Sequence, residues 1–472
     1  MKRNYLLALL SAFILWLAWP PIPFTAPLLL IGFVPLLLAV ETIIESGAKK
    51  KGRKIFWLSL TAFFIWNTSC IYWVFNSLNA VMPAVYISVL ISLIPFGLAA
   101  LLMSFVFWFY YRLRRVTSPL WSYVGLICFW IGYEYLHQSW DLAFPWMTLG
   151  NGFAEMHQLA QWYEYTGVYG GTLWIWLCNI LIFELYKSIK SATVNRNKLI
   201  IATILVITLP IAGSLAIYNT YVEKSNPANV VVVQPNIDPY AKWNSPTFRQ
   251  VEQLIRLSQS VAQPNTEYFI WPETSIPELT NEEKIRSNVN YMQTQGFLSK
   301  YKNGNVISGM ESYLLYDNAK TPTATLQKQL DNKYFDYFNA AIQIENSPKV
   351  QFYHKSKLVP GVEQLPFATA LAFMKPIFAS FGGSSGGFGK QDEPSVFYSQ
   401  SGIGVSPVIC YESIWGEWIA KSVKKGSQFI VIITNDGWWG NTSGKDQHFE
   451  YAKLRAIETR RWVARSANTG IS

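Results

Sequence analysis

The sequence predicts an α-helical membrane bundle followed by a soluble α/β domain, and three observations carry that prediction. The first 222 residues break into apolar runs of roughly bilayer length. Basic residues gather at every second junction between those runs. From Asn229 onward, short β-rich segments alternate with helical ones. Composition agrees, because 51% of the 472 residues are hydrophobic and only 14% are charged, an unusual balance for a water-soluble enzyme.

The apolar runs at 4 to 20, 25 to 43, 55 to 75, 83 to 111, 118 to 137, 164 to 187 and 198 to 219 predict seven spans. A cleaved signal peptide is the alternative for the first run. It has no small-residue cleavage site and further spans follow, so it reads as an anchor. Lys2 and Arg3, the Lys49 to Lys54 cluster, Arg112 with Arg114 and Arg115, and Lys187 to Lys198 fall on alternate junctions, which positive-inside bias assigns to the cytoplasm. An odd number of spans starting inside puts everything after residue 222 outside. The predicted domains are therefore a transmembrane unit over 1 to 222 and an extracytoplasmic unit over 223 to 472. The loop at 138 to 163, rich in Trp, Phe and Gly, reads as a segment lying along the outer membrane surface. The net charge of +10 sits largely in the junction clusters, so it reports topology rather than a nucleic-acid footprint.

In the second half, apolar segments at 230 to 234, 268 to 272, 305 to 310, 340 to 345, 404 to 411 and 429 to 435 predict strands. Helical spacing predicts helices over 246 to 262, 280 to 300 and 446 to 462. Continuous apolar strands interleaved with helices imply a sheet covered by helices. The GGSSGGFGK stretch at 382 to 390 reads as a flexible loop, since it lacks the spacing and the Lys-Ser/Thr ending of a phosphate cradle.

Of four cysteines, Cys70, Cys128 and Cys178 lie within apolar runs, where a thiol behaves as a small hydrophobe, and Cys410 lies in the polar half. No CxxC pair or His/Cys cluster suggests a disulfide framework or a metal site. Three segments each present a reactive side chain after an apolar run: Glu273 in FIWPETS, Lys355 in FYHKSKLVPGVEQLPF and Cys410 in PVICYES. Alone, each has an ordinary reading as a solvated turn, a basic patch or inert core. Together they supply what a thiol needs to attack an ester: a base for its proton, a cation for the developing oxyanion, and burial that strengthens both.

These motifs resemble the nitrilase superfamily and, within it, the apolipoprotein N-acyltransferase family. WPET resembles the family's glutamate segment, YHKSKLVPGVE its Y-x-K-x-x-L-V-P-x-x-E lysine segment and PVICYES its nucleophile segment. The block from TNDGWWGNTSG to SANTG resembles the family's following stretch, and the membrane half separates the chain from soluble nitrilases and amidases. The resemblance implies a nitrilase-like α-β-β-α sandwich, with an eighth span and a further strand expected beyond Ser472. It implies Glu273 as general base, Cys410 as nucleophile, and Lys355 with the Tyr411 N–H as oxyanion stabiliser. It further implies Glu363 and Glu412 as supports orienting Lys355, and Trp243 near a lipid pocket. The charge on Lys355 is expected to favour the Cys410 thiolate. The implied reaction is ping-pong: an acyl chain passes from a glycerophospholipid to Cys410, then to the α-amine of a lipoprotein's diacylglyceryl-cysteine. No metal or organic cofactor is implied. The expected setting is the bacterial inner membrane, with a monomer whose catalytic domain faces the periplasm. One departure is the Gly-Val after Lys-Leu-Val-Pro, where the family has Phe-Gly.

Two rivals share parts of this pattern. A membrane-tethered C–N hydrolase would pass the acyl group to water or a small amine. A transporter or receptor with a binding domain would need more ionisable residues inside its spans than Glu134 and Glu184.

Overall fold

A computed structural model of the protein describes residues 1–82, 84–190, 196–223, 226–368, 370–371 and 387–472. The chain divides into two compact units, Met1–Val222 with Thr442–Glu458, and Glu223–Asn441 with Thr459–Ser472. Residues 382 to 386 of the predicted glycine-rich loop lie outside the described residues.

The first unit is helical: α1 (Lys2–Leu17), α2 (Val34–Glu45), α3 (Lys51–Ile71), α4 (Trp73–Val81), α5 (Val85–Arg114), α6 (Pro119–Gln138), α7 (Tyr163–Lys190) and α8 (Arg196–Thr220). All seven apolar runs form helix. Among the described residues, five stretches are long and apolar enough to cross a membrane: Ala26–Glu45, Lys51–Ile71, Val85–Arg114, Tyr163–Ile189 and Arg196–Thr220. The 16-residue α1 is not among them; it rises about 24 Å, against about 30 Å of hydrocarbon. Nor is α6, which carries Glu134 and His137 in its last turns. Leu6, Leu9 and Phe13 on α1 and Ile201, Leu205 and Leu209 on α8 point outward, as lipid-facing side chains do. The protein is a multi-pass membrane protein.

Aromatic packing holds this unit together. Phe33 is ringed by Phe63, Trp66, Trp130 and Trp176, with centroids 4.4–6.4 Å away. Asn179 accepts from the Phe33 N–H at 2.8 Å and donates to the Leu29 carbonyl, satisfying backbone groups where a 3-10 turn gives way to α2. Glu134 accepts from Trp130, the Leu149 N–H and Thr172, which fastens the 138–163 loop to α6 and α7. The helix Ser443–Thr459 also packs here: Gln447 takes bonds from Trp73 and Trp146 and donates to the carbonyls of Pro20 and Cys70.

The second unit is an α-β-β-α sandwich. Its strands are β1 (Asn229–Val232), β2 (Thr266–Ile270), β3 (Ile276–Asn281), β4 (Asn305–Tyr316), β5 (Thr325–Gln327), β6 (Lys333–Glu345), β7 (Val350–His354), β8 (Phe397–Tyr398), β9 (Gly404–Ile409), β10 (Phe429–Thr434) and β11 (Val463–Ala467). One sheet runs β1-β2-β4-β6-β5, with β3 on β4 and β7 on β6; the other runs β11-β10-β9-β8. β1, β2 and β4 are parallel to one another, as are β9, β10 and β11, whereas β6 pairs antiparallel with β4; β2, β9 and β10 are buried along most of their length. Tyr268, Ile270, Ile307 and Tyr353 of the first sheet meet Val405, Ile409, Val431 and Ile433 of the second. On the other face of the first sheet, Phe269, Val306, Ile342 and Ile344 pack with residues of α9 (Thr247–Val261) and α10 (Val289–Leu298). α11 (Gly416–Lys424) flanks the second sheet.

All six predicted strands form. The predicted helix over 280 to 300 is shorter than expected. Its first part continues β3 into a 3-10 turn, Glu282–Ser287, and α10 starts only at Val289, where Asn288 caps the Asn290 and Tyr291 N–H groups.

Candidate active site

Three strand exits build the site. After β2 the chain turns through Pro272 and Glu273 to Thr274, which has a left-handed φ of 50°. That turn lies against β4 at Gly309, where a Cβ would come within 2.4 Å of the Thr274 nitrogen and 2.6 Å of the Glu273 Cα. Only glycine allows the approach. Lys355 leaves β7 with its N–H bonded to the Asn339 carbonyl of β6 at 2.9 Å. Cys410 leaves β9 with a φ of 51°, a conformation that costs a β-carbon residue energy and persists where its surroundings enforce it.

Lys355, 1% exposed, donates from Nζ to Glu363 Oε1 at 2.8 Å and Glu273 Oε1 at 3.4 Å. The two carboxylates also share a second donor. Asn339 Nδ2 reaches Glu273 at 2.9 Å and Glu363 at 3.0 Å. The remaining Glu363 oxygen accepts from the Val359 N–H at 2.8 Å. Burial by itself would lower the lysine's pKa, but Glu363, then Glu273, more than reverse that and hold its proton well above the ordinary lysine range.

Cys410 lies in the field of this cluster. Burial first, then the Glu273 charge, push its thiol well above the usual cysteine range, and Lys355 only partly opposes them. Lys355 favours the thiolate as expected, but burial and the Glu273 charge outweigh it and favour the protonated thiol. Opposite it, Thr434 on β10 follows Ile433, which pairs with Ile409. Thr434 hydrogen-bonds Cys410 and donates to Asp436 at 3.0 Å, and Asp436 is paired with Arg465 at 2.6 Å.

Glu412 reaches backbone rather than the lysine ammonium. Its carboxylate accepts from the N–H groups of Ser356 at 2.6 Å, Lys357 at 3.1 Å and Ile409 at 2.9 Å, and from the Tyr353 hydroxyl at 2.7 Å. It thereby fastens the Lys355 loop to the end of β9. Tyr411 is buried, its ring 4.9 Å from Trp415. Trp243, 53% exposed, stands on a short turn outside this cluster, 6.5 Å from Trp438. The structure thus joins Glu273, Lys355 and Glu363 by direct bonds, sets Cys410 beside them and places Glu412 behind the two loops. Among the described residues no three His, Cys, Asp or Glu side chains converge as metal ligands do.

Two contributors escaped the sequence reading. Asn339 interrupts the apolar run of β6, and Lys242 directly precedes Trp243. For Asn339 the available signal was a polar residue in a segment otherwise destined for burial, whereas Lys242 lies among mostly exposed neighbours and carried no such signal.

A buried Glu-Lys-Cys cluster at strand exits of an α-β-β-α sandwich defines a class, and residues 229–472 match the family described as carbon-nitrogen hydrolase. The chain belongs to that family. Residues 11–181 match a second family, described as apolipoprotein N-acyltransferase N-terminal domain. The chain is similar to the apolipoprotein N-acyltransferases of Chlorobaculum tepidum (28% identical, covering 100% of this chain and 86% of that protein) and Geobacter metallireducens (26% identical, 100% and 85%). A solved structure similar to it is Saccharomyces cerevisiae Nit3, a nitrilase-superfamily member, at 14% identity and a TM-score of 0.34 over 51% of this chain and 75% of that one.

Proposed function

We propose that this chain is a phospholipid:apolipoprotein N-acyltransferase working through a thioester on Cys410. The observation that carries the reading is that a buried Cys410 beside Glu273 and Lys355 occurs on a multi-pass chain similar along its whole length to apolipoprotein N-acyltransferases.

Glu273 takes the thiol proton as the sulfur attacks the ester carbonyl of a glycerophospholipid. The carbonyl electron pair moves to oxygen, where the Lys355 ammonium and the Tyr411 N–H steady it. Collapse expels the lysophospholipid alkoxide, which receives the proton from Glu273 and leaves the acyl chain on sulfur. The α-amine of a diacylglyceryl-cysteine then attacks the thioester and passes a proton to Glu273. The departing sulfur takes that proton back. Glu363 and Asn339 keep Lys355 and Glu273 aligned, and Glu412 holds the two loops. Trp243 contributes to acyl-chain binding. The reaction needs no redox or Lewis-acid chemistry.

Both substrates are lipid-anchored, so membrane residence confines enzyme, donor and acceptor to one surface and raises their effective concentration. Basic clusters at alternate junctions support a bacterial inner-membrane protein whose second unit faces the periplasm. We assign a monomer as the working unit.

The test is to follow a labelled acyl chain from phosphatidylethanolamine in detergent to a synthetic diacylglyceryl-cysteinyl peptide. Transfer to the peptide α-amine supports the reading. Release as free fatty acid at the same rate with and without peptide would make the chain a hydrolase.

A further inference from the structure

The base turn has a second lysine beneath its backbone. Lys242, only 2% exposed, donates from Nζ to the main-chain carbonyl of Glu273 at 3.0 Å. With the Gly309 N–H bonded to the Pro272 carbonyl at 3.1 Å, two successive carbonyls of the turn are held. Lys242 is fixed in its turn from the other side. Gln250 of α9, itself buried, donates to the carbonyls of Lys242 at 2.7 Å and Ser245 at 3.1 Å. The same short turn, Lys242–Asn244, exposes Trp243, which with Tyr240 packs around Trp438.

A buried ammonium costs desolvation and persists where something compensates it. Here the compensation comes from the Glu273 carbonyl, the Glu273 carboxylate and the nearby Glu311 of β4, which is hydrogen-bonded to Tyr337 of β6. The Glu273 carboxylate is also bonded by the Lys355 ammonium, at 3.4 Å. The direct bonds of the two lysines to Glu273 fall on different atoms, that of Lys355 on the side chain and that of Lys242 on the backbone.

We propose that Lys242 is a positioning residue for the reaction: its charged amine fixes the Glu273 peptide and ties the base to the aromatic surface turn carrying Trp243. The proposal rests on the thioester reading of Cys410. Burial draws the Lys242 pKa down to about 8 against the pull of Glu273 and Glu311, so the amine is charged below that pH and loses its charge as pH rises through it. Lys355 keeps its proton well above this window and adds no fall of its own. Relative to a variant whose charge at position 242 does not titrate, acylation of Cys410 should therefore decline above about pH 8.

The experiment is the rate of acyl-chain gain on the full-length protein, by intact mass with phosphatidylethanolamine and no acceptor, from about pH 6 to about pH 9.5. Thermal melts accompany each variant. Lys242→Met should acylate on the order of 10-fold to 100-fold more slowly at pH 7, the scale expected for a misplaced base. Lys242→Arg, whose guanidinium stays charged throughout, should restore much of the rate and lack the decline above pH 8. Should Lys242→Met fail to fold, Lys242→Arg carries the test by its pH profile. Wild-type rates in Lys242→Met, or a decline above pH 8 that survives in Lys242→Arg, would overturn the role of Lys242 while leaving the thioester reading intact. A wild-type protein that gains no acyl chain at any pH removes both.

Discussion

At the scale of the residue, chemistry is decided by who holds which proton. Cys410 rests as a thiol because burial and the Glu273 charge outweigh Lys355. A raised pKa means that the thiolate fraction at neutral pH is small and grows as pH rises. Alkylation of Cys410 by iodoacetamide should therefore keep accelerating through about pH 9, and a plateau below pH 7 would mean a resting thiolate. Glu273→Gln removes the base but leaves a donor for Lys355 to crowd; acyl transfer should fall by about 10²-fold to 10⁴-fold, read as the rate of labelled-chain transfer. The three residues that the structure brings together, Glu273, Lys355 and Cys410, stood out in the sequence because each follows an apolar run that ends in a polar motif. Asn339 did not, since one amide inside a strand looks the same whether it bridges two carboxylates or merely satisfies a neighbour.

At the scale of the element, the site depends on strand exits that must turn sharply and stay turned. Gly309 illustrates the demand: the base turn lies where its Cβ would be. Gly309→Ala should cost about 1–3 kcal/mol of stability, as overpacking does, and should slow Cys410 acylation more than it lowers the melting temperature suggests. Normal acylation with a normal melt would mean that the turn can shift freely. Asn339→Ala, which leaves Lys355 as the donor shared by two carboxylates, should slow acylation roughly 10-fold while the fold, followed by circular dichroism, persists. β2, β9 and β10 and the buried halves of β4 and β6 were legible because burial leaves a mostly apolar run, and β1 because four valines run together even at the sheet edge. β3, β5, β7, β8 and β11 were not marked as strands. They are short or only partly buried, and their pairing is set by the neighbouring strand rather than by their own pattern. The over-long helix at 280 to 300 failed for a related reason: the β3 partnership with β4 overrode local helical spacing.

At the scale of the whole molecule, hydropathy located the helical half, and the family match over 229–472 fits the sheet-rich half. Helix length and composition were harder to read. A 16-residue α1 and an α6 ending in Glu134 and His137 belong to the helical unit without meeting the requirements of a span by themselves. The Ser443–Thr459 helix packs with the first unit although it sits among segments of the second, a partition that no local pattern announces. The proposed topology makes its own prediction. Single cysteines placed in the Lys49 to Lys54 loop should resist a membrane-impermeant maleimide in intact cells with a permeabilised outer membrane, whereas cysteines in exposed loops of 226–368 should react. Reversed labelling would invert the orientation.

The central claim is that Cys410 carries an acyl chain. Its most direct test is intact mass of the detergent-purified protein after incubation with phosphatidylethanolamine and no acceptor, beside Cys410→Ala. The account predicts a gain of one acyl chain, removed by hydroxylamine and absent from Cys410→Ala, whose turnover falls by more than about 10³-fold with an unchanged melt. An acyl adduct that persists in Cys410→Ala, or transfer to acceptor without any adduct in the wild type, would contradict it.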